Sequence, residues 1–169
     1  EEGPRYLVLK TPFAEDLNGF EQMCQAFSGR SHHLRKLVAP SLAEGKLVFS
    51  DRFDSTSFAI QIFGMQNEGN LELFDVFKNL MDEIARPDLY IFLDVPPEIA
   101  MKRTALRHQE FNNSNHFGLR GEDFHSRVRD GFHKFARKFD DRVKVIDASG
   151  SRESVTNLIG ETLSSVIGV

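Results

Sequence analysis

Three short stretches bring together side chains able to grip a phosphorylated ligand. The first, Asp51-Arg52-Phe53-Asp54-Ser55-Thr56-Ser57-Phe58-Ala59-Ile60-Gln61, directly follows the apolar run Lys46-Leu-Val-Phe-Ser50. An Arg offers a planar fork for phosphate oxygens, and a neighbouring acid can steady that fork or hold a magnesium-bound water. The hydroxyls of Thr56 and Ser57 and the amide of Gln61 could read a polar base edge. A helix start capped by an Asp51–Arg52 ion pair explains the spacing equally well. In the second, Phe27 and Arg30 are three residues apart and share a helical face. A ring beside a guanidinium suits a flat heterocycle with carbonyl edges, although a Phe at such a place is ordinarily core and an Arg ordinarily solvated. His32 and His33, adjacent on a helix, point in different directions and read as surface. The third runs from Arg86 through Asp94 to Arg103. It reads as a helix end, a buried strand and a new helix opened by Pro96 and Pro97.

These residues need a scaffold. Tyr6–Lys10, Lys46–Ser50 and Leu89–Val95 read as buried parallel strands, and Arg142–Asp147 as a strand nearer an edge. Helical periodicity covers Gly19 to Ala43, in one or two helices, then Leu71 to Ile84, Glu98 to Leu106, Glu122 to Phe139 and Glu153 to Val166. Strands alternating with helices imply right-handed crossovers and a parallel sheet covered on both faces, a three-layer α/β/α domain. Ligands of such sheets bind beyond the carboxyl ends of the strands, where Asp51, Arg52 and Asp94 fall. His108 to Arg120 breaks the pattern with Asn112, Asn113, Ser114, Asn115 and Gly118, flanked by several Arg. It reads as a flap with basic borders or as an ordinary solvated loop. No repeat or linker divides residues 1–169, so one domain is expected.

Composition narrows the classes. A length of 169 residues with 40% apolar and 27% charged content is that of one globular domain. A formal charge of −4 provides no footprint for a nucleic-acid polymer. No run is long and apolar enough for a bilayer, and no signal peptide opens the sequence. The single cysteine, Cys24, cannot pair internally and fits a reducing, cytoplasmic setting. Most of the 16 Phe should be core.

Taken together and in order, these segments resemble the thymidylate kinase family of P-loop nucleotide kinases. The resemblance rests on Phe27-x-x-Arg30, Gly45-Lys-Leu-Val-Phe-Ser-Asp-Arg-Phe53 leading into Thr56-Ser57 and Gln61, and Pro87-Asp-Leu-Tyr-Ile-Phe-Leu-Asp-Val-Pro-Pro-Glu98. Phe124-x-x-Arg-Val-Arg129 and Asp141-Arg-Val-Lys-Val-Ile-Asp-Ala-Ser149 complete it. It implies a nucleoside monophosphate kinase passing the γ-phosphoryl group of ATP to dTMP, with Mg2+, usually as a homodimer. By the same resemblance Phe27 stacks on thymine and Arg30 bonds its carbonyl edge. Arg52 holds the acceptor phosphate, Asp51 supports magnesium, through water, or the transferring phosphates, and Thr56, Ser57 and Gln61 line the base pocket. Arg103, Arg107 and Arg120 are candidates for adenine or for the phosphoryl group in flight, residues 108–120 form the lid, and Ser149 borders the adenine. Arg127 and Arg129 match a family helix, at least one of them as a salt-bridge partner.

The sequence departs from the family pattern at several points. No Gly-x-x-x-x-Gly-Lys-Ser/Thr string occurs in it, and Glu1-Glu-Gly3 resembles the end of the helix that should follow such a loop. The expectation is therefore a truncated chain that lacks the central first strand and does not by itself catalyse ATP-dependent transfer. Lys10 stands near Pro12 where the family has Arg, Phe53 replaces Tyr or His, and Ile60 replaces a frequent Tyr. A deoxynucleoside kinase and a degenerate, non-catalytic nucleotide-binding domain are the competing readings.

Overall fold

The computed structural model describes residues 17–111 and 120–167, with backbone only at 107–111 and 167. The first predicted strand, Tyr6–Lys10, Lys10 itself and most of the predicted flap lie outside the described residues. The architecture is α/β, with a parallel sheet flanked by helices.

Helix α1, Gly19–His33, opens on a capping box: the Asn18 side chain accepts from the Glu21 amide at 3.0 Å, and Glu21 accepts from the Asn18 amide at 2.8 Å. The helical run continues without a break through a π-helical segment, Leu34–Val38, into α2, Ala39–Ala43. Beyond Gly45 the prediction fails. Lys46–Ser50 forms no strand, and Leu47 and Phe49 are exposed. A strand exists only as part of a ladder, and no described strand pairs with this segment. Apolar content alone does not replace that partner.

Helix α3, Asp54–Ser57, runs directly into a second π-helical segment, Phe58–Gly64, all seven of whose residues are buried. Helix α4, Leu71–Asp82, presents Phe74, Lys78 and Met81 inward. Strand β1, Tyr90–Asp94, pairs in parallel with β2, Val143–Asp147, in the register Tyr90–Val143 to Asp94–Asp147. Between them come α5, Pro97–Phe111, and α6, Glu122–Lys138; α7, Arg152–Ile167, follows β2. Because α5 continues to Phe111, the first residues of the predicted flap, from His108, are helical rather than loop.

The core is an aromatic chain. Phe58 meets Phe63 and Phe74 at 5.0 Å between centroids and Phe135 at 5.5 Å; Phe135 meets Tyr90 at 5.1 Å. Thus α4, the π-helical segment, α6 and β1 share one apolar seam. Two glycines set the closeness of the packing. A Cβ at Gly131 on α6 would lie 2.8 Å from the Ala59 Cα, and one at Gly19 would lie 2.7 Å from the Gln61 carbonyl oxygen. Only glycine lets these backbones approach so far.

Candidate active site

The turn that carries Asp51 and Arg52 is exposed, and Arg52 adopts a left-handed backbone with φ of 72°. A non-glycine residue holds that conformation only where its surroundings over-determine it, and such residues cluster at ligand clamps. The Ser50 hydroxyl donates to the Arg52 carbonyl at 2.8 Å. No Asp51–Arg52 ion pair forms among the described residues. The simple capped-helix reading therefore loses its main contact.

Arg30 reaches this turn from α1. It is 5% exposed, and its Nη2 donates to the Phe53 carbonyl at 3.0 Å and to the Ser57 hydroxyl at 3.2 Å. Its guanidinium lies 4.7 Å from the Phe27 ring centroid and 5.2 Å from that of Phe53. Phe27, Arg30, Phe53 and Ser57 thus converge from two separate segments. Thr56 and Gln61 are buried in the same stretch as Ser57. The expectation of a solvated Arg30 is overturned: a charged group so buried must be partnered, and it is. Phe27 also packs against Phe77 at 5.1 Å and Phe74 at 5.7 Å, and is 3% exposed. Its present contacts are those of a core ring.

Sequence reasoning missed a buried polar cluster under the turn. Asp54 is fully buried; its Oδ1 accepts from the Ser55 amide at 2.7 Å, and its Oδ2 faces Lys78 Nζ and the Tyr90 hydroxyl, each at 3.1 Å. Lys78, 2% exposed, also donates to both Asp82 oxygens, at 3.0 and 2.9 Å. Burial first, and then the Asp54 charge, push the Tyr90 phenol far above its ordinary value, so it stays a neutral donor. One signal was available: Lys78 occupies a place on the apolar stripe of Leu71, Phe74 and Met81.

At the carboxyl end of β1, Arg129 grips Asp94 with two bonds, Nε at 2.7 Å and Nη2 at 2.9 Å, and His133 Nε2 stands 3.2 Å from the same carboxylate. The Arg129 hydrogen bonds hold the Asp94 carboxyl below the usual range. A shallow pocket of about 130 Å³ opens beside this pair, lined by Phe92, Pro97, His125 and Phe132 among others. Arg127 donates to the Gly64 carbonyl, at 3.3 Å from Nε and 3.2 Å from Nη2.

The structure also brings Arg103 and Ser149 together. The Arg103 guanidinium donates to the carbonyls of Ala148, Ser149 and Gly150 at 2.8, 3.0 and 2.9 Å. It clamps the loop after β2. Arg120 lies 4.8 Å from the Phe124 ring centroid. Arg107 falls on α5, and its side chain lies outside the described residues. His32 is exposed and His33 half-buried. No cluster of three or more metal-ligating side chains occurs among the described residues. Magnesium commonly keeps most of its waters and needs only one or two carboxylates, so exposed Asp51 suits it as a water-mediated partner. No described helix is long and apolar enough to cross a membrane.

A family model described as thymidylate kinase matches residues 8–159. A thymidylate kinase of Marinomonas sp. (strain MWYL1) is 36% identical over 163 residues, spanning 96% of this chain and 73% of the relative. One from Rickettsia canadensis (strain McKiel) is 35% identical over 136 residues, spanning 80% of this chain and 64% of the relative. The crystal structure of thymidylate kinase from Ehrlichia chaffeensis superposes with a TM-score of 0.64 at 25% identity, spanning 95% of this chain and 71% of that one. This chain therefore spans between about two thirds and three quarters of these proteins' lengths. A match running over nearly the whole chain, through the same segments that build the turn, the Arg30 cluster and the Asp94 strand, establishes that the chain belongs to the thymidylate kinase family.

Proposed function

We propose that the protein to which this chain belongs transfers the γ-phosphoryl group of ATP to dTMP, giving dTDP. The observation that carries this reading is the meeting of Arg30, Phe27, Phe53 and Ser57 beside the strained Arg52 turn. Arg52, exposed on that turn, takes the monophosphate with a bidentate fork. Thr56, Ser57 and Gln61 line the base pocket. Arg30, held beside the pocket through the Phe53 carbonyl, offers its guanidinium to the carbonyl edge of thymine, and the Phe27 ring beside it is the stacking face.

On the donor side, Arg103 and Ser149 border the adenine, Arg103 by fixing the loop backbone, and Arg107, just before the lid of residues 108–120, and Arg120, at its end, draw near the phosphoryl group. Asp51 holds magnesium through water; when bound, the ion neutralises charge on the phosphates. The chain's own part is alignment and electrostatic complementarity to the moving phosphoryl group. The reading includes one kinase domain over residues 1–169, a homodimer and a cytoplasmic setting.

The test is an assay of the full-length protein with ATP and dTMP, dUMP or thymidine as acceptor. Turnover of dTMP well above thymidine is expected; turnover of thymidine without dTMP would overturn the reading.

A further inference from the structure

The strained turn has no strand ladder behind it among the described residues, yet Arg52 keeps a left-handed backbone. The Ser50 hydroxyl bonds the Arg52 carbonyl from within the turn, and a buried anchor stands two residues on. Asp54 is that anchor: it is fully buried, and its carboxylate is fixed by Ser55, Tyr90 and Lys78. Lys78 is the centre of this arrangement. Its ammonium joins Asp54 to Asp82 on its own helix, lies 4.9 Å from the Phe139 ring centroid, and is sealed from water. A buried ammonium held by two carboxylates is a demanding solution where a Met or Leu would pack. The demand is met at a location that ties α4 and the start of β1 to the residue opening α3.

We infer that Lys78 is a positioning residue for the acceptor phosphate: through Asp54, and with Tyr90 as second tether, it fixes the turn on which Arg52 is presented. The inference rests on the reading of Arg52 as the phosphate-holding group. Lys78 touches no substrate; it acts only through the turn. Arg30 restrains the same turn from the other side, through the Phe53 carbonyl. Lys78 should therefore affect the acceptor and leave the donor alone.

The experiment uses the full-length enzyme and the variants Lys78→Met, Tyr90→Phe, Arg52→Ala and Lys78→Met/Arg52→Ala. Lys78→Met is expected to raise KM for dTMP about tenfold or more while KM for ATP stays within about twofold. In the Arg52→Ala background the same change should add less than about twofold, because residues acting through one group are not additive. Equal effects on both substrates, or a full tenfold effect that persists without Arg52, would overturn the inference. Unchanged dTMP kinetics in Arg52→Ala would instead sink the reading of Arg52 itself. Should Lys78→Met fail to fold, Tyr90→Phe decides: it removes one donor to Asp54 and keeps the ring. A rise of about threefold confined to KM for dTMP supports the tether, and no change refutes it.

Discussion

Replacing Arg30 by Met separates what the guanidinium does for the fold from what it does for a ligand. Met keeps much of the aliphatic volume and removes the charge. Two charge-assisted hydrogen bonds disappear, to the Phe53 carbonyl at 3.0 Å and the Ser57 hydroxyl at 3.2 Å. Bonds of this kind contribute about 1.5–3 kcal/mol each. The ring contacts with Phe27 and Phe53, at 4.7 and 5.2 Å, are lost too. Against this stands the relief of not burying a cation, worth several kcal/mol by general estimates. Ser57, 1% exposed, can turn its hydroxyl toward a backbone acceptor, whereas Phe53 is only half-buried and can recover water. The balance favours a loss of about 2 kcal/mol, with the two lost charge-assisted hydrogen bonds as its main source. Urea unfolding of the full-length protein, followed by circular dichroism, measures it. Arg30→Lys should fall between, since a point ammonium cannot reproduce the fork. Stability of Arg30→Met within about 0.5 kcal/mol of the parent would refute this account of a committed guanidinium. Loss of dTMP affinity on top of the stability change, read by calorimetry at a temperature where the variant is folded, is expected from the base-edge role.

Three further outcomes follow from contacts of other kinds. Asp54→Ala should destabilise the protein by about 3–5 kcal/mol in chemical unfolding, since it strips a partner from a buried ammonium, and adding Lys78→Met should recover part of that loss; a double variant weaker than the sum of the singles would contradict the coupling. Gly131→Ala should cost about 1–3 kcal/mol, because the added Cβ meets the Ala59 backbone at 2.8 Å and backbone yields less readily than a side-chain tip; a melting temperature equal to the parent's would show the helices can part freely. Asp94 has a lowered folded pKa, chiefly from its hydrogen bonds with Arg129, so its stabilisation is present above the unfolded value of about 3.9 and is lost as pH falls through the lower folded value. Arg129→Met should therefore flatten the acid limb of the stability profile below about pH 4, and an unaltered limb would count against the pair.

The sequence announced its elements best where periodicity and ladder partner both lie within the described residues. Leu71–Asp82, Tyr90–Asp94, Glu122–Lys138 and Val143–Asp147 each fall close to the expected ranges, because an apolar stripe or run there has something to pack or pair with. Lys46–Ser50 shows the converse: an apolar run with no described strand beside it stays irregular. The Arg30 cluster was half legible. Its helical spacing from Phe27 predicted adjacency, but nothing local revealed that the guanidinium would turn inward to Phe53 and Ser57, some 23 and 27 residues away. The Asp54–Lys78–Tyr90 cluster was illegible for the same reason, since each member looks ordinary in its own segment and only the tertiary fold joins them. A lysine on an apolar stripe was the one local hint.

A division of labour among the cations also decides which one can receive an anion. Each of four basic side chains commits donors to the protein. Arg30 holds the Phe53 carbonyl, Lys78 holds Asp54, Arg103 holds three carbonyls after β2, and Arg129 holds Asp94. All four reach from a helix to a turn, a loop or a strand end, which is where ligands of a parallel α/β sheet sit. In a chain of net charge −4, an incoming phosphate must find a guanidinium not already neutralised or committed to backbone. Arg52 meets that condition: it is exposed, its backbone is strained into place, and no ion pair involves its side chain among the described residues. Shifting Arg52 to Lys would keep the charge and lose the fork, so dTMP binding should weaken while association keeps its salt dependence; unchanged dTMP binding in the Lys variant would mean that the charge alone, and not its bidentate geometry, is what the strained turn exists to present.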